Sequence, residues 1–264
     1  MVVLTAVGTA QAQPTLVTCR YLLRNTVNHT LTNVQFKVLG PAFETATQRT
    51  LEIRTTPASV KSTDKAGNQV LTFNIDRIAP HDLQVVALHA QLGKAGIEEK
   101  SVEAYFEAEP FVESSHPEIR DVASLMEGEG AVETARAIYD WVVQEIRYAG
   151  YSDDDLGALW ALRHRSGDCT EMAYLFTALC RAKGIPARVI GGYVCRRDGR
   201  LRARDYHNWA EFHDGEAWHP VDCQLRQFDD PVSGRVAVRV FNSSSDVRFH
   251  RFEVNKDAIE VTMR

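Results

Sequence analysis

The chain has 264 residues, 44% of them hydrophobic and 25% charged, enough to bury one large core or two ordinary ones. Its formal net charge is −5 and no basic stripe runs along it, which argues against a nucleic-acid partner. No uninterrupted apolar run reaches the roughly eighteen residues that a membrane-spanning helix needs.

The opening stretch, MVVLTAVGTAQAQP, allows two readings. Its short apolar run and Ala10-Gln11-Ala12 fit a leader with a cleavage site. No Lys or Arg precedes that run, however, and Thr5, Gly8 and Thr9 dilute it, as in a first β-strand. A cytoplasmic chain is expected, or a periplasmic or secreted one if the stretch is a leader remnant. The five cysteines are scattered with no C-x-x-C, which is not a disulfide framework and leaves at least one free thiol.

Period-2 runs then dominate: TLVTCRYLLRN from Thr15, TNVQFKVLG from Thr32, RTLEIRTT from Arg49, QVLTFNID from Gln69 and LQVVALHAQL from Leu83. Turn formers separate them, among them Asn28-His29, Gly40-Pro41, Asp64 to Asn68 and Ala79-Pro80. These runs predict a small antiparallel sandwich. His29, His81 and His89 are expected on its loops or strand faces, without a catalytic role.

Near EPFVESSHPEIRD the period changes. Ser115 is a candidate helix cap, with Pro117 in the first turn and Glu118 three residues on. Ile119, Val122 and Leu125 recur at helical spacing, as do Ala135, Ile138, Trp141, Val142 and Ile146. A domain boundary is therefore expected near residue 110, with a β-sandwich over 1–110 and an α+β domain over 111–264.

The stretch from Ser166 to Val194 carries the chemistry. Met172, Leu175, Phe176 and Leu179, with Cys180, form a stripe that predicts a buried helix face. Gly184 and Pro186 end that helix, and PARVIGGYVC follows as a strand. Asp168 is the expected cap, which puts Cys169 in the first helical turn. Unpaired N–H groups and the positive end of the helix dipole favour a thiolate there, and the same donors can hold an oxyanion. A buried packing cysteine is the competing reading of Cys169. Cys180, Cys195 and Cys223 lack this position and are expected to be structural.

A partner for the thiol lies in YHNWAEFHDGEAWHPVD. Asp214-Gly215 between alternating runs is a two-residue hairpin signal, which would set His213 against Glu216 and His207 directly opposite Asp222. Opposed side chains are close enough for a carboxylate to hold an imidazole and stabilise its charged form. Pro220 lacks an N–H, so a bulge or a sheet edge is possible there. His207, His213, His219 and Cys223 also resemble zinc ligands. Yet His207 and His213 sit six residues apart on one strand, about 20 Å, and cannot share a metal without a bend. No metal and no cofactor is expected. Trp209 and Glu211 are expected as sheet packing and a surface charge, and His213 and His219 as half-exposed strand residues.

The ordered Cys169, His207 and Asp222, the GDC that opens a helix, and the phrases RAKGIPARVIGGYV, HNWAEF and WHPVD together resemble the transglutaminase-like superfamily of papain-like thiol enzymes. The resemblance spans about Ala131 to Asp222, and the β-rich segment before it is similar to sandwich domains that precede such cores in bacterial relatives. It implies an antiparallel sheet packed by helices, with Cys169 as nucleophile, His207 as base and Asp222 as orienting acid. It implies no metal for the chemistry. The oxyanion-stabilising aromatic of some relatives has only Trp141 and Trp160 as candidates here.

The implied reaction begins with attack of the Cys169 thiolate on an amide and leaves a thioester. Water then gives hydrolysis, as in an amide hydrolase or cysteine peptidase, and that outcome is the expected one, with a peptide or protein amide as substrate. Two alternatives stand beside it: acyl transfer to a small amine, and a non-catalytic protein-binding module in which the thiol is inert.

Overall fold

The computed structural model of the chain describes residues 14–95, 102–195, 199–230, 234–243, 245, 247–249 and 251–264. The opening stretch over 1–13, leader or first strand, lies outside them. The N-terminal runs form strands β1 (Thr15–Asn25), β2 (Leu31–Leu39), β3 (Arg49–Thr56), β4 (Val60–Thr63), β5 (Gln69–Ile78) and β6 (Leu83–Gly93). Five of these match the period-2 runs. The exception, β4, is VKST, exposed along its whole length and paired only to β5. It buries no alternating face, so it left no hydrophobic signal.

Alternate side chains of these strands point into one core. Val17, Cys19, Tyr21 and Leu23 of β1 meet Val34, Phe36 and Val38 of β2 and Leu71 and Phe73 of β5. Tyr21 packs on Phe36 with ring centroids 5.3 Å apart. The two sheets of this sandwich are completed from the far end of the chain. Strand β14 (Phe252–Val254) pairs with β2, and β15 (Ile259–Met263) pairs with β1, giving the orders β14-β2-β5-β4 and β15-β1-β6-β3. A division that assigns all of 111–264 to the second domain is thereby corrected. Phe252–Val254 and Ile259–Met263 are sandwich strands, because β1 and β2 would otherwise each present an open edge.

The remaining elements are α1 (Pro117–Ser124), α2 (Ala131–Glu145), β7 (Arg147–Tyr148), α3 (Ala158–His164), β8 (Ser166–Gly167), α4 (Cys169–Ala182), β9 (Ala187–Val194), β10 (Tyr206–His213), β11 (Trp218–Asp222), β12 (Gln227–Phe228) and β13 (Arg235–Val240). His116, not Ser115, caps α1: its Nδ1 accepts from the Glu118 N–H at 3.3 Å. Helix α4 was expected to bury one stripe, but every residue from Thr170 to Arg181 is buried. It is the central helix, packed by α1, α2 and α3 and laid on β9 and β10 of an antiparallel sheet of order β12-β11-β10-β9-β13. Among the described residues no helix is long and apolar enough to cross a membrane.

The sandwich and this sheet are stitched along the free edge of β13. The Gln48 side chain donates to the Ala237 carbonyl at 3.0 Å and accepts from its N–H at 2.8 Å. Asn68 does the same to Val240, at 2.9 and 2.6 Å. Two side-chain amides thus stand in for the missing neighbouring strand.

Candidate active site

The β10–β11 hairpin is two residues out from the expected register. His213 faces Trp218 and Ala210 faces Val221, so Asp214 to Ala217 form a four-residue loop. Asp214 is the cause. Its Oδ1 accepts from the N–H groups of Glu216 (2.7 Å) and Ala217 (2.8 Å), and its Oδ2 meets His219 Nε2 at 2.9 Å. An Asx-type turn of this kind closes a wider loop than an Asp-Gly pair alone. Continuing the register puts Trp209, not His207, opposite Asp222, and His207 pairs instead with Gly192 of β9. A shift of two keeps every side chain on its own face, whereas a shift of one would have separated the pair. His207 and Asp222 are therefore diagonal neighbours, and their side chains close the gap: Nε2 lies 2.7 Å from Asp222 Oδ2.

Cys169 is the first residue of α4 and is half-buried. Asp168 caps the helix, its Oδ1 accepting from the Thr170 N–H at 2.6 Å, while Glu171 Oε2 accepts from the Asp168 N–H at 3.1 Å. The other oxygens of this capping box hold the preceding loop: Asp168 Oδ2 accepts from Ser152 N–H and Glu171 Oε1 from Leu156 N–H, both at 3.1 Å. Gly167 makes the box possible, since a Cβ there would fall 2.5 Å from Glu171 Cβ. Burial, opposed by those backbone hydrogen bonds, raises the Glu171 carboxyl above its ordinary range.

The helix start and the hairpin converge. Burial alone pulls the His207 imidazole down, but its hydrogen bonds to Asp222 and Cys169, with the charges of both, outweigh this and bring it up to about 9. Burial pushes the Asp222 carboxyl up, and the hydrogen bond and charge of His207, the charge of Arg235 and the Leu225 N–H together hold it below its ordinary value. Nε2 is committed to Asp222, so Nδ1 is the nitrogen left to exchange a proton with the thiol.

Other expected residues lie elsewhere. His213 and His219 flank the hairpin loop, and His219 is held between Asp214 and Asp229, both at 2.9 Å. Among the described residues, no group of three or more His, Cys, Asp or Glu side chains is arranged to hold a metal. Trp209 packs in the core as expected. Glu211 is not a surface charge: it is fully buried, 2.7 Å from Arg188 Nη2, and its Oε1 accepts from the Ala46 N–H of the sandwich at 3.1 Å. Trp160 stacks on His164 at 4.3 Å and Trp141 lies under Arg165 at 4.8 Å. The aromatic hydroxyl that feels the Cys169 charge from β7 is Tyr148, which burial and the charges of Cys169 and Asp168 keep protonated. Strand β7 puts it there by pairing in parallel with β8, Tyr148 against Gly167. A two-residue strand carries no periodicity, so the sequence did not mark it.

Residues 120–223 match the transglutaminase-like superfamily. No curated protein sequence matches the chain. Among solved structures, a candidate cysteine protease from Cytophaga hutchinsonii aligns with 96% of this chain and 91% of its own length at 17% identity, with a TM-score of 0.62, and so shares its fold. The periplasmic domain of TgpA from Pseudomonas aeruginosa aligns with 81% of this chain and 88% of its own at 16% identity, with a TM-score of 0.41.

Proposed function

We propose that this chain, whose residues 120–223 match the transglutaminase-like superfamily, is a thiol enzyme that hydrolyses an amide bond through a thioester on Cys169. The observation that carries the proposal is the 2.7 Å contact of His207 Nε2 with buried Asp222, on a ring that also hydrogen-bonds Cys169 at the start of α4. His207 takes the thiol proton on Nδ1, and the sulfur attacks the amide carbonyl carbon. The oxyanion faces the first N–H of α4 and the Tyr148 hydroxyl. His207 then gives its proton to the departing nitrogen as the C–N bond breaks, leaving the acyl group on sulfur. A water attacks the thioester with His207 as base, the C–S bond breaks, and the acid leaves. Asp222 keeps the ring oriented and supports its charge.

Hydrolysis is favoured over transfer because the acyl-enzyme is open to water. Cys169 is half-buried, and Tyr148 and Tyr151 on the segment beside it are 47% and 71% exposed. The test is to incubate dimethylcasein with the protein and with its Cys169→Ala variant, with and without dansylcadaverine, following peptide release and dye incorporation. Release that needs Cys169 and does not depend on the amine supports hydrolysis. Dye incorporation that displaces release would make the protein an acyltransferase, and an inert thiol toward iodoacetamide would make it a binding module.

A further inference from the structure

Asp222 has a second cation. Arg235, at the start of β13, places Nη2 2.8 Å from the same Oδ2 that meets His207. Both side chains are sealed from solvent, at 2% and 1% exposure. The other carboxylate oxygen, Oδ1, accepts from the Leu225 N–H at 2.9 Å. The guanidinium is itself fixed: the same Nη2 donates to Gln227, the β12 residue paired with Asp222, and its carbon stands 5.6 Å from the centre of the Trp209 ring. Arg235 comes from the opposite side of the sheet from Asp222, with β9 and β10 between their strands. Between them Gly192, the partner of His207, lets Trp209 and β13 approach closely, since a Cβ there would come within 2.7 Å of the Trp209 ring and collide with the Val236 carbonyl.

We propose that Arg235 is a positioning residue for the Cys169–His207–Asp222 site, sharing Asp222 Oδ2 with His207 so that the carboxylate stays ionised and aimed while its hold on the imidazolium is moderated. This rests on the reading of the site given above. A buried carboxylate that faces only an imidazole binds it as a tight ion pair and makes the ring a reluctant acid. A second, permanent cation on the same oxygen withdraws part of that attraction. The remaining titratable groups around the pair are Cys169 of α4 on the His207 side, and Tyr139 of α2 and the Cys223 thiol on the Asp222 side. Among the described residues whose charges act on the pair, Arg235 is the one fixed positive charge.

The test is the pH dependence of Cys169 alkylation by iodoacetamide, which needs no substrate. Its upper step marks loss of the His207 proton. In Arg235→Gln that step should move up by about half a pH unit or more, and in Arg235→Lys, which keeps the charge but not the planar guanidinium held by Gln227 beside Trp209, it should stay in place with a roughly twofold or greater slower plateau. An upper step that is unmoved or lower in Arg235→Gln overturns the inference. If Arg235→Gln does not fold, Arg235→Lys decides: an unchanged plateau, or a moved step, overturns it. His207→Gln separates the two levels of the argument, because an upper step that survives in that variant belongs to another group, and it is then the reading of the site that fails.

Discussion

Cys169 and His207 make their strongest predictions as single groups. Among the thiols, burial pushes Cys19 up to about 12 and Cys180 and Cys223 well above the ordinary value, while Cys169 and Cys195 are half-buried. Limited iodoacetamide labelling at neutral pH with mass mapping should find Cys169 first, Cys195 at least tenfold slower (an order-of-magnitude expectation), and the other three unlabelled until unfolding. Faster labelling of Cys195 would remove the case for Cys169 as nucleophile. His207 titrates at about 9 in the folded chain against 6.5 when exposed, and Asp222 titrates below 3.8. The stabilisation from His207 is thus complete below 6.5 and fades as pH rises through about 9. That from Asp222 is present above 3.8 and fades as the pH falls further. The melting temperature of the protein should exceed that of His207→Gln most between pH 4 and 6.5, and the gap should shrink on going to pH 9. Asp222→Asn keeps the shape and removes the charge, and amide hydrolysis should fall by ~10²–10⁴. Unchanged turnover in that variant would leave Asp222 a purely structural strand residue.

At the scale of elements, the start of α4 joins stability to chemistry. Asp168 caps the helix and also holds Ser152 of the preceding loop, so its loss frees both. Asp168→Ala should cost about 0.5–2 kcal/mol, the usual range for a cap, measured by urea unfolding. Alkylation of Cys169 should slow with it, because the helix turn that presents the thiol frays. Asp168→Asn keeps the cap oxygen and should recover most of the stability. An Asp168→Ala protein as stable as its parent would show that packing of the buried α4 alone sets the helix start. The hairpin obeys a similar logic: Asp214 sets the loop length, and the loop length sets which residues oppose each other.

Across the whole molecule, the sandwich and the five-stranded sheet depend on each other through a few buried polar contacts. Asn68 and Gln48 close the edge of β13, and Glu211 links Arg188 to the Ala46 N–H. Asn68→Ala strands the Val240 N–H and carbonyl, a loss of about 1–3 kcal/mol for each buried group left unpaired. The expected signature is one cooperative unfolding transition at lower temperature. Two separate transitions in calorimetry would instead mean that the sandwich and the sheet unfold independently. Arg181 of α4 makes the same point near residue 110, where its Nη1 binds the Glu109 carboxylate at 2.6 Å and pins the expected boundary to the core.

The sequence by itself determined the elements whose burial is periodic. Five sandwich strands, α2, α4 and β9 were legible because each repeats apolar residues at the period of its own geometry. The order of Cys169, His207 and Asp222 was legible because a helix cap and a hairpin turn are local events written in adjacent residues. What tertiary structure decided was everything that turns on residues distant in the chain or on side chains with no period. Strands β14 and β15 join sheets laid down more than two hundred residues earlier, and no local pattern names a partner at that distance. The register slipped by two because the Asp214 carboxylate, not the Gly215 backbone, governs the loop. Tyr148 reaches the site through a two-residue strand, and Glu211 reads as a surface charge until Arg188 and Ala46 enclose it. Arg235 meets Asp222 from across the sheet, with β9 and β10 between their strands, and residues brought together by sheet order alone share no local pattern that a sequence reading can weigh.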